Sequence, residues 1–216
     1  MTKLKYLFPL IAFALAPFSS LRAQDEYSDQ NLPQHEISVG YGTITDIQII
    51  DVFSDIIVAG VTLGSVSTQN KEFSGAIDLQ YLYRPLRWLS YGLDLTYESR
   101  KQDCISRSIK TDEETKMGEQ TTRYISLTPA VRFSWLAKDR VNMYSKLAFG
   151  MTFIADSYKK VSGEFDDTTV ESEESRLFAY QVTPIGISVG TRIRGFAEMG
   201  FGRQGMFRFG LAYRFN

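Results

Sequence analysis

The stretch that decides the fold runs from residue 89 to residue 98 and has the sequence Leu-Ser-Tyr-Gly-Leu-Asp-Leu-Thr-Tyr-Glu. Large apolar side chains occupy its odd positions, and small or polar side chains occupy its even positions. Successive side chains of a β-strand point to opposite faces, so this alternation predicts a strand with one apolar and one polar face.

The same alternation recurs along the chain. Further runs cover residues 35–43, 76–83, 124–135, 141–153, 177–190, 192–201 and 206–215. Together with 89–98 they predict eight strands. In the run 177–190 the apolar positions change parity at Thr183-Pro184-Ile185, which predicts a β-bulge there, because Pro lacks the amide hydrogen of a regular ladder.

The connections between these runs alternate in length. Long segments at 44–73, 101–121 and 156–176 are separated by short ones at 85–88, at 137–140 and near Gly190, and the last connection, 202–204, is also short. Membrane barrels have tight turns at one rim and longer loops at the other. The fold class predicted is all-β: an eight-stranded, antiparallel, transmembrane up-and-down barrel with long extracellular loops and short periplasmic turns.

A soluble lipocalin-type barrel would use the same alternation with its apolar face inward. That arrangement would place about 35 large side chains in an interior just wide enough for side chains or one small ligand. The other face mixes Gly and Ala with charges of both signs, which suits a narrow lumen better. We expect a lumen charge network of Asp94, Glu98, Arg132, Lys146 and Arg208.

The first residues have the pattern of an export signal. Lys3 and Lys5 precede an apolar run that is too short to span a bilayer, and the run is followed by Leu21-Arg22-Ala23. We expect a signal peptide over 1–23, a short periplasmic segment over 24–34 and a barrel domain over 35–216. The alternative for the first segment is a buried N-terminal helix.

Composition excludes several function classes. The formal net charge is −1, with 24 Lys plus Arg against 25 Asp plus Glu, so no nucleic-acid partner is expected. The chain has one Cys and one His, too few for a disulfide framework or a zinc site. We expect no cofactor and no metal site.

The closing segment carries a family resemblance. Residues 207–215, Phe-Arg-Phe-Gly-Leu-Ala-Tyr-Arg-Phe, alternate strictly and end in an aromatic residue, although Asn216 follows. With the signal ending Ala23-Gln24, the chain resembles the small eight-stranded outer-membrane barrels of the outer-membrane protein X and protein A type, especially those of Bacteroidetes. The resemblance implies an outer-membrane location, contact with membrane lipid and lipopolysaccharide, and insertion by the barrel-assembly machinery.

Sequence offers little for catalysis. Some small outer-membrane barrels modify lipid A with His and Ser, but the single His35 opens the first strand and should lie at the inner rim. We expect a protein that is not an enzyme and has a structural, adhesive or surface-interaction role. A lipid-modifying enzyme and a narrow channel or small-ligand carrier are the alternatives.

The outer loops are the expected interaction sites, with an extracellular protein or glycan as the partner class. Thr45-Asp46-Ile47-Gln48 has the form of a capping box, which predicts a short amphipathic helix presenting the apolar side chains of Ile47, Ile50, Phe53 and Ile57. The alternative is that 49–63 extends the neighbouring strands. Glu164, Asp166 and Asp167 belong to an acidic loop that either binds a cation or is simply solvated.

Overall fold

The computed structural model describes residues 32–61, 66–107, 114–160 and 174–216. The elements in these ranges are β1 (Gln34–Thr43), α1 (Asp46–Val61), β2 (Val66–Phe73), β3 (Ala76–Arg84), β4 (Leu89–Arg107), β5 (Glu114–Ala137), β6 (Val141–Lys160), β7 (Glu174–Gly190), β8 (Ile193–Gly202) and β9 (Phe207–Phe215). Within those ranges, no helix has both the length and the apolar character that a membrane crossing needs. The expected signal peptide and Glu164, Asp166 and Asp167 lie outside the described residues.

The strands close into a barrel. Antiparallel pairing runs in the order β3, β1, β9, β8, β7, β6, β5 and β4, and β4 pairs back to β3. Eight strands therefore form the ring. β2 continues the line of β3 along the same partner, since Phe73 pairs with Arg100 of β4 and Ile77 with Tyr97. The prediction of a closed, eight-stranded antiparallel barrel is confirmed.

The polarity of the barrel is that of a membrane protein. Leu93 and Leu95 are 42% and 44% exposed on the outer surface, whereas Asp94 and Thr96 between them are 0% and 1% exposed. A soluble barrel would bury the leucines and solvate the aspartate. A continuous apolar outer belt with a polar interior is stable only when lipid surrounds the belt, so the lipocalin-type alternative is wrong.

The predicted bulge lies in β7. Val182 pairs with Phe201 of β8, but the next pair joins Ile185 to Met199, so β7 has one extra residue there. Pro184 and Ile185 both face outward, and the Ser145 hydroxyl donates a hydrogen bond of 2.6 Å to the Pro184 carbonyl. The extra residue restores the apolar side chains to the lipid face, as the change of parity predicts.

The two rims differ in height. We call the end with the turns at 85–88, 138–140 and 191–192 the inner rim, and the end that bears α1 the outer rim. β4, β5 and β6 have 19, 24 and 20 residues, although 9 to 11 residues suffice to cross a bilayer. Their upper parts, with β2, form a four-stranded sheet beyond the outer rim, which we call the protruding sheet.

The protruding sheet corrects the expected loop boundaries. Much of the predicted loops 101–121 and 156–176 is strand, and the segment 44–73 contains α1 and β2. The sequence of these upper parts lacks the strict alternation of the lower parts of the same strands, because outside the membrane the outward face need not be apolar. The helix expected after Thr45 is confirmed, and the alternative that 49–63 extends the neighbouring strands is wrong for residues 49–61, which are helical.

Candidate functional site: the charged lumen and the outer mouth

A fully buried lysine lies at the centre of the lumen. The Lys146 Nζ is 2.7 Å from Glu198 Oε2, 3.8 Å from Asp94 Oδ2, and donates to Gln204 Oε1 at 2.7 Å. The Gln204 side-chain amide in turn donates to Asp94 Oδ2 at 2.8 Å. One ammonium group thereby joins three strands, β4, β6 and β8, and the turn after β8.

The same glutamate links the lysine to an arginine. Arg208 on β9 lies 2.9 Å from Glu198 Oε1 and forms a two-pronged ion pair with Asp78 on β3. Its guanidinium carbon lies 4.4 Å from the centre of the Phe196 ring. The Tyr144 hydroxyl donates to Glu198 at 2.8 Å. Each ion is thus hydrogen-bonded as well as paired, which is what makes a buried charge tolerable.

Toward the inner rim the network continues through an amide. Gln80 donates to Asp94 Oδ1 at 2.6 Å and accepts from Arg132 at 2.7 Å. Arg132 also pairs with Glu36 at 2.5 Å, and Arg214 pairs with the other oxygen of that glutamate at 2.8 Å. An unbroken chain of polar contacts therefore crosses the lumen.

The network has the properties of a structural core. It joins four cations to four carboxylates, so its formal charge is balanced. Apart from Arg214, whose side chain is 12% exposed, the side chains of its residues are almost entirely buried, and the guanidinium of Arg132 lies 4.2 Å from the centre of the Tyr144 ring. The interior of the eight-stranded barrel is thus filled by charge-balanced side chains.

The start of α1 is fixed over the outer mouth. The buried Thr45 hydroxyl accepts the Gln48 backbone N–H at 3.3 Å and donates to Glu98 Oε1 at 2.8 Å. The Gln48 side chain donates to the same carboxylate oxygen at 3.1 Å, and Asp51 pairs with Arg100. Thr45 therefore acts as the N-cap, while its partner at the third helical position contacts the barrel wall instead of closing the capping box.

The turn between β8 and β9 folds inward beside the helix. Arg203 and Gln204 are buried, and Arg203 lies 3.4 Å from Asp46 of α1. Gly205 has φ +93°, and a Cβ there would lie 2.4 Å from the Thr43 carbonyl oxygen, so glycine is required for this path. Burial raises the pKa of the Asp46 carboxyl above its usual value, although the Arg203 guanidinium opposes the rise. Helix and turn together cover the mouth.

The predicted lumen residues do not all meet. Asp94, Arg132, Lys146 and Arg208 belong to the network just described, whereas Glu98 lies at the outer mouth against α1. Residues that sequence reasoning missed connect the others. Gln80 and Gln204 bridge the ions. In the sequence, Gln80 is marked only by its inward position in a strand, and Gln204 only by its place in a turn.

The predicted interaction residues of α1 divide into two groups. Ile47 is 7% exposed and packs into the mouth, so it is not available to a partner, whereas Ile50 is 62% exposed. The side chains of Phe53 and Ile57 lie outside the described part of the chain. Val52, 57% exposed, joins Ile50 on the outer surface of the helix.

The single histidine lies away from any polar cluster. His35 is at the inner rim on the lipid side, where its Nδ1 is 2.7 Å from the Tyr81 hydroxyl and its ring stacks on Phe215. Over the described ranges, no three His, Cys, Asp or Glu residues are placed to hold a metal ion. The His35 surroundings are those of an aromatic residue at a lipid interface.

Two similar solved structures are of Ail, the attachment invasion locus protein of Yersinia pestis. The one in complex with the heparin analogue sucrose octasulfate is 14% identical to this chain, with a TM-score of 0.42, and the match covers 85% of this chain and 99% of the Ail chain. The other is 15% identical, with a TM-score of 0.41 and the same coverages. No family model and no curated protein matches the chain.

Proposed function

We propose that this protein is an outer-membrane barrel that presents the protruding sheet and α1 to partners outside the cell. The role is one of surface interaction or adhesion, without catalysis and without an open pore. The partner is an extracellular protein or glycan, and outer-membrane lipid, including lipopolysaccharide, surrounds the belt. In this proposal residues 1–23 direct export, residues 24–34 stay in the periplasm, and the barrel-assembly machinery inserts residues 35–216.

The observation that carries the proposal is the surplus length of three strands. β5 alone has 24 residues where 9 to 11 would cross the membrane. A rigid scaffold that holds sequence beyond the bilayer is the usual way in which surface proteins position recognition residues. The short inner turns offer no comparable surface, so recognition is expected at the outer rim.

The contents of the lumen argue against transport. Lys146, Glu198 and Arg208 lie at the middle of the barrel with almost no exposed surface. α1 and the inward-folded turn cover the outer end through Thr45 and Gln204. A solute would have to break several buried ion pairs to pass, and each is costly to break.

The test removes the top of the protruding sheet. Residues 103–119 are replaced by Asn-Gly, a two-residue hairpin turn that closes on the Gln102 and Gln120 pair, whose side chains share a 2.7 Å hydrogen bond. The matched control replaces the inner turn Lys138-Asp139-Arg140 with Ser-Gly-Ser. Both variants and the full chain are displayed on a non-adherent Gram-negative host.

Adherence of these cells is counted on epithelial monolayers and on immobilised heparin. The full chain and the inner-turn control should promote adherence to at least one surface, and the trimmed barrel should lose it while remaining folded and heat-modifiable. Adherence that survives the trimming, or a full chain that binds neither surface, would contradict the proposal.

A further inference from the structure

The inner mouth of the barrel holds a second charged site, separate from the outer surface. A cavity of about 570 Å³ opens there between the inner turns and the ends of β3 and β9. Five cationic residues contribute to its lining against one acidic side chain, Asp139; they are Arg84, Arg87, Lys138, Arg192 and Arg214. The lining is therefore predominantly positive, although Arg214 is already paired with Glu36.

Arg84 lies buried at the wall of this cavity. It is 8% exposed, and one of its terminal nitrogens donates to the Arg87 carbonyl at 2.5 Å. Its Nε is buried without a hydrogen-bond partner, and within the described ranges no carboxylate pairs with it. Burying a guanidinium that has an unsatisfied N–H donor and no counter-charge costs folding free energy, unless a bound anion accepts the hydrogen bond and balances the charge.

The residues around Arg84 do not supply that counter-charge. Arg194 is fully buried and donates only to Ser188 and to the carbonyl oxygens of Asp139 and Gly190. Glu36 is shared by Arg132 and Arg214. Arg84 and Arg194 are therefore two buried arginines outside the charge-balanced network, and within the described ranges no carboxylate pairs with either of them.

We propose that the inner-mouth pocket binds a phosphate-type oxyanion, with Arg84 as its principal ligand and Arg192 and Arg214 at its entrance. The planar guanidinium fork matches the spacing of phosphate oxygens, and charge-assisted hydrogen bonds of this kind are the strongest that side chains form. The volume is in the range of ligand pockets, so the phosphate has room for an attached organic group. The source is either a soluble phosphate ester or the headgroup of an inner-leaflet phospholipid.

The experiment follows the Arg84 Nε–H resonance by NMR in the full chain, folded in uncharged maltoside micelles. Inorganic phosphate is added at constant ionic strength, with chloride as the reference anion. A saturable shift with phosphate and none with chloride is expected. R192Q, an exposed change at the pocket entrance, should weaken binding at least about tenfold, because it removes a charge-assisted hydrogen bond to the anion.

R84Q should abolish binding, read from the backbone amides of Arg87 and Thr191. R176Q, which removes an exposed arginine beside Phe153 at the other rim, should leave phosphate binding unchanged. Because R192Q tests the pocket from an exposed position, the proposal stays falsifiable if R84Q does not fold.

A repeat in phosphatidylcholine nanodiscs identifies the source. Loss of phosphate binding in nanodiscs would point to the lipid headgroup, and unchanged binding to a soluble phosphate. Either result supports an oxyanion site. The proposal is overturned if phosphate produces no saturable shift in micelles, if chloride produces the same shift, or if R176Q weakens binding as much as R192Q. None of these outcomes depends on adhesion at the outer rim.

Discussion

Replacing Lys146 with methionine should strongly destabilise the barrel, because it removes the cation that pairs with two buried carboxylates. The side chain is 0% exposed, and its ammonium group lies 2.7 Å from Glu198 and 3.8 Å from Asp94. Methionine keeps most of the volume but leaves both carboxylates without this counter-charge. Removing one partner of a buried ion pair costs about 3 to 5 kcal/mol, and K146M should fall in that range.

The double variant K146M/E198Q separates charge from packing. It restores the net charge of the lumen, because one cation and one anion are lost together. Arg208 keeps its pair with Asp78 in this variant. We therefore expect the double variant to be more stable than K146M by at least about 1 kcal/mol, within the usual range of coupling between contacting residues.

The assay is urea unfolding in lipid vesicles, followed by the fluorescence of Trp88 and Trp135, the two tryptophans of the chain. K138M, an exposed lysine at an inner turn, is the matched control and should change stability by less than about 0.5 kcal/mol. If K146M were as stable as K138M, the network would not be a compensated ionic core. The same conclusion would follow if the double variant were less stable than K146M, because the loss of Glu198 would then add to the loss of Lys146 instead of offsetting it.

Three further predictions concern the belt, the lumen and the mouth. L93R, at the middle of the lipid-facing run of β4, should cost about 2 to 4 kcal/mol in the same unfolding assay, whereas K101Q above the membrane should not. The purified barrel should give no large, stable currents in planar bilayers; a steady porin-like conductance would contradict a packed lumen. Because the pKa of Asp46 is raised in the folded state, its stabilising contribution is complete below about pH 4 and is lost as the pH rises through the raised value. Protection of α1 from protease should fall over that range in the native chain and be flat in D46N.

The membrane-spanning part of the fold follows from sequence because lipid imposes a strict rule. Outward residues are predominantly apolar, so runs such as 89–97 and 207–215 alternate strictly. The bulge at Pro184 was predictable for the same reason, since a slip of one residue would turn Ile185 and Ile187 into the lumen. Outside the membrane the outward face need not be apolar, so the alternation no longer identifies strands. Residues 99–107 continue β4 in water, and their mixed polar sequence does not distinguish a strand from a loop.

The sequence predicts which charged residues enter the lumen, but it does not predict which residues link them to one another. Inward charges had to be paired, so Lys146 and Arg208 could be identified as lumen ions from their position in a strand. Their bridging partner Gln204 comes from a turn, and nothing in a turn sequence indicates that it folds inward. Glu98 points to the same face of β4 as Asp94, but it lies four residues closer to the outer end of the strand. There it accepts hydrogen bonds from Thr45 and Gln48 at the start of α1.

Spin-label accessibility along β9 tests whether the apolar face of the barrel contacts lipid. Single cysteines are placed at each position from 207 to 215 in a Cys104→Ser background, labelled, and folded into vesicles. High collision rates with oxygen and low rates with a water-soluble nickel complex are expected at Phe207, Phe209, Leu211 and Tyr213, with both rates low at the inward positions between them. Access of the nickel complex to the label at Phe209, with oxygen-rich signals at Arg208 and Gly210, would show that the apolar face does not meet lipid.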